Sequence, residues 1–510
     1  MTKYKHTSKA TSALLLLTAS LAGADLSSHG IDTQLTQVLG QAGFTGRVES
    51  TLVTRLGRPV NRQLAQLGRL LFFEKFTSLH RDNSCSGCHS PGAGMGDSQS
   101  IAIGIQNNNQ VGPHRAGPRN QRRTPSVVNT AFYPKLMWNG RFSAESGDPF
   151  DHSAPFRFPP PEGITKFPGN DPKIKHLLHA QAFIPPTELN EVAGFTGTKN
   201  TPYSVGPRFD QFDDGKGIAL PHPDAAGFRN EPIRQLLTQL MNASPPLKAL
   251  FRKHFPAEMA NNGSIEFSMF GRAIAEFEFE LVFANAPIDR FARGDRNALS
   301  SHEKRGALLF FGKAKCVSCH AVAGAANEMF SDFRNRRIGV PQIAPFFGVG
   351  RGNTIFDGPG ENEDFGAEQI SGVAGDRYKF RTSPLRNVGI QPAFFHNGAF
   401  TRLEDAIRHH LDVPRSARHY NAIRAGVDFD LIFRLGPIEP VLQGLDPILA
   451  APINLNEDEF EDLVKFVRNG LLDPRAKRRS LCDVIPDALP SGLTLANFEG
   501  CEDRDRHGER

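Results

Sequence analysis

Two short stretches of this 510-residue chain carry the same chemistry: SCSGCHS at 84–90 and KCVSCHA at 315–321. Each sets two cysteines three positions apart and a histidine directly after the second. Thiols at this spacing can form thioethers with the two vinyl groups of one porphyrin, and the adjacent imidazole can ligate the iron on one face. Covalent tethering holds a large planar group without a deep preformed pocket. A zinc site would need the two pairs to converge from distant parts of the chain, and neither zinc nor a redox dithiol accounts for a histidine after both pairs. The motifs predict two covalently bound haem c groups, attached at Cys85 and Cys88 and at Cys316 and Cys319. His89 and His320 are then the proximal iron ligands.

The elements that must position these motifs recur. LGRLLFFEKFTSLHRDNSCSGCH (67–89) parallels RGALLFFGKAKCVSCH (305–320), a Leu- and Phe-rich helix running into each attachment loop. Downstream, RRTPSVVNTAFYPKLMWNGRF (122–142) parallels FRTSPLRNVGIQPAFFHNGAF (380–400), which puts Trp138, the only tryptophan, and His396 in one slot of the repeat. The fold class that follows is mainly α: two duplicated cytochrome c-type haem domains with long irregular connections and few short strands. Helical periodicity is clearest at 61–76, 232–242, 264–283, 297–311, 402–412 and 456–471, with Asn456 as a cap. The Pro- and Gly-rich connections 143–173, 196–228 and 339–375 are too long for ordinary loops and are expected to wrap the haems or form lids.

The amino terminus has Lys3, Lys5 and Lys9, then ALLLLTASLAGA at 13–24. A basic n-region, a short apolar core and an A-x-A end describe a signal peptide over 1–24, with export to the periplasm. No later stretch is long and apolar enough to predict a membrane span. Removing those three lysines from the 59 basic residues leaves 56 against 54 acidic, a balance that argues against nucleic-acid binding. The expected partition is an N-terminal haem domain over 25–290, a C-terminal one over 291–475 and a tail over 476–510. In an oxidising compartment Cys482 and Cys501 most simply staple that tail with a disulfide.

With both attachment motifs and both repeat loops in order, residues 60–200 and 295–475 resemble the bacterial di-haem cytochrome c peroxidase family, which includes the MauG enzymes. The resemblance implies an N-terminal haem that reacts with peroxide and a C-terminal haem that relays electrons. A family tryptophan between the haems corresponds to Trp138 in MWNGR, implying an electron bridge. The family's catalytic acid falls, without gaps, on Glu191 of QAFIPPTELNEV (181–192). One carboxylate over the distal face can move a proton from the inner to the outer oxygen of bound peroxide; Glu188 is its near neighbour.

Departures from the family pattern refine these implications. Ile105 of IAIGIQ stands where the family has a blocking distal histidine, so the first haem should be five-coordinate. His114 in VGPHRAG is displaced from that register and reads as a loop residue. On TRLEDAIRHHLDV (401–413), Leu403, Ile407 and His410 share a face while His409 points elsewhere. The resemblance puts the sixth ligand of the relay haem at His410; bis-histidine ligation lowers its potential relative to methionine. Arg123 aligns with an asparagine that binds calcium between domains, and a guanidinium cannot ligate a cation, although Thr382 and Pro384 keep the other half of that pattern. Met95, Met137 and Met329 read as packing residues.

The resulting reading is a di-haem peroxidase reducing hydrogen peroxide with electrons from a small periplasmic cytochrome c or cupredoxin. The alternatives are a MauG-like oxidase or oxygenase acting on a protein or organic substrate, and an electron-transfer cytochrome without catalytic activity. The resemblance is also compatible with a homodimer.

Overall fold

The computed structural model describes residues 28–346 and 355–502, so the signal segment 1–24 lies outside the described residues. The architecture is mainly helical. Its longest helices are α1 (Ser28–Gln41), α2 (Arg62–Phe73), α3 (Asn230–Ala243), α4 (Pro245–His254), α5 (Phe267–Glu280), α6 (Ser301–Phe311), α7 (Leu403–Leu411) and α8 (Glu457–Lys465). Strands are two or three residues long; one antiparallel sheet joins Lys135–Leu136, Phe142–Ala144 and Phe156–Arg157. Among the described residues no helix is long and apolar enough to cross a membrane.

Local chemistry explains where the helices begin. Asn61 accepts from the Leu64 N–H to open α2. Ser300 with Glu303, and Asn456 with Glu459, exchange reciprocal side-chain–backbone hydrogen bonds at the starts of α6 and α8. Each such cap contributes about 1 kcal/mol. The last helix is shorter than its periodicity suggested, because after Lys465 the chain widens into a π-helical turn, Phe466–Gly470.

The apolar faces form two large clusters. In one, α2 crosses α5 so closely that a Cβ on Gly68 would sit 1.8 Å from the Ala273 carbonyl oxygen. In the other, α6 crosses α8, and a Cβ on Gly306 would sit 2.0 Å from the Asp462 carbonyl oxygen. Only glycine permits either crossing. Phe72 packs on Phe277 at 5.2 Å in the first, as Phe310 packs on Phe466 at 5.5 Å in the second. The loops 122–142 and 380–400 also repeat one backbone path. Asn129 and Asn387 have φ of 66° and 60°, Met137 and Phe395 have 65° and 69°.

Each end of the chain packs against the opposite half. Leu35, Leu39 and Phe44 join the second cluster, and Lys304 of α6 pairs with Asp32 of α1 at 2.6 Å. Conversely Leu481, Ile485, Leu489 and Phe498 of the tail join the first cluster. Residues Asn497–Phe498 pair in parallel with Gln110–Val111, and Cys482 is bonded to Cys501. Each half is thus closed by the opposite end of the chain.

Candidate active site

Each attachment motif opens into its own cavity. The short helix Cys85–Cys88 follows α2, and the His89 N–H donates to the Cys85 carbonyl at 2.9 Å. The turn Cys316–Ser318 follows α6 with the same bond, His320 N–H to the Cys316 carbonyl at 2.9 Å. Phe72 lies 6.0 Å from the His89 ring and Phe310 lies 6.4 Å from His320. The first cavity, with Cys85, Cys88 and His89 in its wall, has an empty volume of about 1680 Å³ counting its mouth. The second, with Cys316, Cys319, His320 and His410, has about 1780 Å³. The two pairs of cysteines do not converge.

Glu191 faces the first cavity from the π-helical turn Leu189–Ala193. Its carboxyl is enclosed by protein but partly exposed to the cavity itself. Burial, with the Glu188 carboxylate adding, raises it from 4.5 to about 7, while the Arg141 and Arg122 guanidinium groups oppose the shift. Arg141 lies 3.7 Å from Glu188. An acid poised near neutrality can both take and return a proton, the property general acid–base catalysis requires.

In the second cavity the His320 and His410 rings face each other with centres 6.3 Å apart. His320 Nδ1–H donates to the Phe330 carbonyl and His410 Nδ1–H to the Ala406 carbonyl, each at 2.9 Å. Those bonds fix the tautomer and turn both Nε2 lone pairs inward. A metal ion bonded at about 2 Å by each Nε2 would separate the ring centres by roughly 6 Å, so the pair fits an iron held between them. Burial lowers His89 and His320 to about 4 and also lowers His410, leaving neutral imidazoles. Burial pushes the thiols the other way, Cys85 and Cys316 to about 12, Cys88 and Cys319 to about 11. A redox dithiol needs the opposite shift. The donor set therefore fits haem c in both cavities.

Trp138 lines both cavities. Its indole N–H donates to the Arg123 carbonyl at 2.7 Å. Around it the two repeat loops clasp: the Arg123 N–H donates to the His396 carbonyl at 2.7 Å, and the Arg381 N–H to the Trp138 carbonyl at 2.6 Å. His396 itself is buried and stacked on Phe380 at 3.6 Å.

Several other residues singled out in the sequence fall outside the cavities. Ile105 packs with Phe195 and Phe212 and does not line the first cavity. His114 is an exposed residue bonded to Glu499 at 3.1 Å. Among the described residues His89 is the only histidine lining the first cavity, and Met137 lines it too. His409 spends both nitrogens on Ser416 Oγ and the Ile338 carbonyl. Met95 and Met329 are core residues.

Among the described residues of the three long connections, 143–173 and 196–228 line neither cavity, and 339–375 contributes Ile355. Within the first connection Ser143–Ala144 pairs with Phe156–Arg157, and in the third Ile343–Ala344 pairs with Arg434–Leu435, so the described parts of the connections lie mostly away from the cavity walls. Two lining residues were not anticipated. Arg141 directly follows the MWNG motif, a signal that was available. Glu278 is buried on the Phe-rich helix α5, accepts from Thr130 Oγ1 at 2.9 Å, and is raised by burial to about 8. An acid alternating with phenylalanines, FEFE at 277–280, was its signal.

A family model described as di-haem cytochrome c peroxidase matches residues 62–297. The chain is 25% identical over 418 residues to the methylamine utilization protein MauG of Methylorubrum extorquens, covering 82% of this chain and 81% of that protein. It is 24% identical over 356 residues to the cytochrome c551 peroxidase of Pseudomonas aeruginosa, covering 70% and 74%. The chain is thus similar to the di-haem cytochrome c peroxidase and MauG family, whose model it matches over residues 62–297, and along most of its length to oxidoreductases of that kind. Its fold resembles the crystal structure of a MauG-like protein associated with microbial copper homeostasis, with a TM-score of 0.52 and 19% identity over 84% of this chain and 94% of that one. The diheme peroxidase BthA of Burkholderia thailandensis gives a TM-score of 0.51 at 19% identity, over 86% and 91%.

Proposed function

We propose that the protein is a periplasmic peroxidase with two duplicated haem domains, each carrying one covalently attached haem c. It reduces hydrogen peroxide at the first site with electrons relayed through the second. The observation that carries this reading is Trp138, shared by a cavity holding a near-neutral buried acid and a cavity holding a facing pair of histidines. A bound haem would supply the iron redox chemistry for peroxide. The chain's residues do the rest. Cys85 and Cys88, and Cys316 and Cys319, would tether the macrocycles; His89 would hold the first iron, and His320 with His410 the second.

Glu191 takes the proton from the inner oxygen of peroxide and returns it to the outer one, so that water is the leaving group. Arg141 and Arg122 keep its carboxyl from rising further. Trp138 carries electrons between the two sites, since indole is among the more easily oxidised side chains. The overall balance is one peroxide, two protons and two electrons giving two waters, the electrons coming one at a time from a small cytochrome c or cupredoxin. An electron carrier without catalytic activity would have no use for a buried acid beside an open site.

The MauG-like alternative, oxidation of a protein or organic substrate, is favoured by one feature: no second histidine lines the first cavity among the described residues. Mixing oxidised protein with peroxide and a reduced small donor separates the two. Two donors oxidised per peroxide supports the peroxidase; peroxide consumed without donor oxidation moves the assignment to the alternative.

A further inference from the structure

The contact between the two halves has a charge at its centre. Arg123 is 3% exposed, and its guanidinium meets no carboxylate oxygen in a hydrogen bond. Its N–H groups instead donate to three neutral oxygens: the carbonyls of Gln99 and of Asp97, the latter at 2.8 Å, and the Gln391 side-chain Oε1 at 3.0 Å. The first two belong to the N-terminal half and the third to the C-terminal half. Oxygens of this kind, converging from several segments, form the cradle of a hard cation.

The Asp97 carboxylate is also buried close by. Burial raises its pKa, and Arg123 is the largest influence holding it down. Such a carboxylate needs a positive partner. Arg123 is also fixed along its main chain, by the His396 carbonyl on one side and the Trp138 indole on the other.

Calcium, which the family resemblance implies between the domains, does not fit these residues. The position that would supply an oxygen ligand supplies N–H donors, and a guanidinium fills the space. On the opposite half the Thr382 carbonyl is already engaged by Ser331 Oγ at 2.7 Å and by Arg381. We infer that the Arg123 guanidinium is the built-in cation of this junction, so that the two halves are joined around Trp138 without a bound metal ion. Its N–H donors reach oxygens of both halves, which a lysine ammonium on one stem cannot do as well. Arg381, its counterpart in the repeat, reaches across the same junction to the Met137 carbonyl at 2.9 Å.

The test uses the haem-loaded protein and does not depend on peroxide turnover, so it can fail while the proposed function stands. Metal content is measured, and thermal unfolding is followed in EDTA and in millimolar calcium chloride. The wild type should hold no stoichiometric calcium and melt at the same temperature in both. Arg123→Asn, which replaces the guanidinium with an oxygen ligand and space, should melt roughly 5 °C or more lower in EDTA and recover in calcium. Arg123→Lys should fold, melt between the two and ignore calcium, which keeps the test alive if the asparagine variant does not fold. One calcium per wild-type chain, a wild-type midpoint lowered by EDTA, or an asparagine variant as stable as wild type in EDTA would each overturn the inference.

Discussion

Replacing Glu191 with glutamine separates its catalytic role from its cost to the fold. The side chain keeps its shape and loses its charge. The carboxyl is raised from 4.5 to about 7, which at about 1.4 kcal/mol per pH unit corresponds to at most ~3.5 kcal/mol. The sign follows from linkage. Below pH 4.5 the acid is neutral in folded and unfolded chains alike, and it costs nothing. Between 4.5 and 7 the unfolded chain ionises while the folded one resists, so the wild type loses stability as pH rises. Above 7 the loss is complete and constant. The Gln variant lacks this loss and should be the more stable protein at pH 8, by less than the full ~3.5 kcal/mol because the cavity side of the carboxyl is wet. At pH 4.5 the two should match. Urea midpoints of the haem-loaded proteins at the two pH values read this directly. The second-order rate with peroxide should fall by about 10²–10⁴ in the variant. In the wild type that rate should fall as pH drops through 7, because a protonated Glu191 cannot take the peroxide proton; in the variant it should be flat. A variant as fast as wild type, or one with the same pH profile, would remove Glu191 from the mechanism.

Trp138→Phe should leave the first reaction with peroxide fast and impair electron transfer between the haems, measured by stopped-flow absorbance; unimpaired transfer would make the indole a packing residue. The lost N–H bond to Arg123 should cost only about 1 kcal/mol. His410→Ala should convert the low-spin haem to high-spin, while His409→Ala should lower stability and leave the spin state alone; the reverse pattern would exchange their roles. Cys482→Ser opens a loop with a sequence separation of 19 and should cost roughly 3 kcal/mol in urea unfolding, through the first half that the tail covers; an unchanged midpoint would show the tail is held by packing alone.

Much of the site was legible because its chemistry is local in sequence. The spacing of Cys85, Cys88 and His89, and of Cys316, Cys319 and His320, needs only one turn of chain, and each turn opens onto its own cavity. The difference between His409 and His410 followed from helical phase on α7, since one residue turns the side chain by about 100°. Packing partners were another matter. Periodicity reveals which face of a helix is apolar, not which half of the molecule receives it. Thus α1 on the second cluster, and the 476–502 tail on the first, could not be read from spacing. Helix α4, opening at Pro245, and the following helix Pro256–Asn262 were missed because proline punctuates a pattern even where it begins a helix. Glu278 was passed over although FEFE at 277–280 marks it, because a helical pattern read for its apolar residues does not weigh the acids between them.

In the proposed mechanism one open haem and one bis-histidine haem are coupled through Trp138. Electron paramagnetic resonance of the fully oxidised protein, before and after hydrogen peroxide without reductant, tests this most directly. A high-spin signal beside a bis-histidine low-spin signal, both altered together by peroxide, is the predicted result. Two low-spin signals indifferent to peroxide would contradict it, because the first iron would then be capped and the acid at Glu191 would face no reacting oxygen.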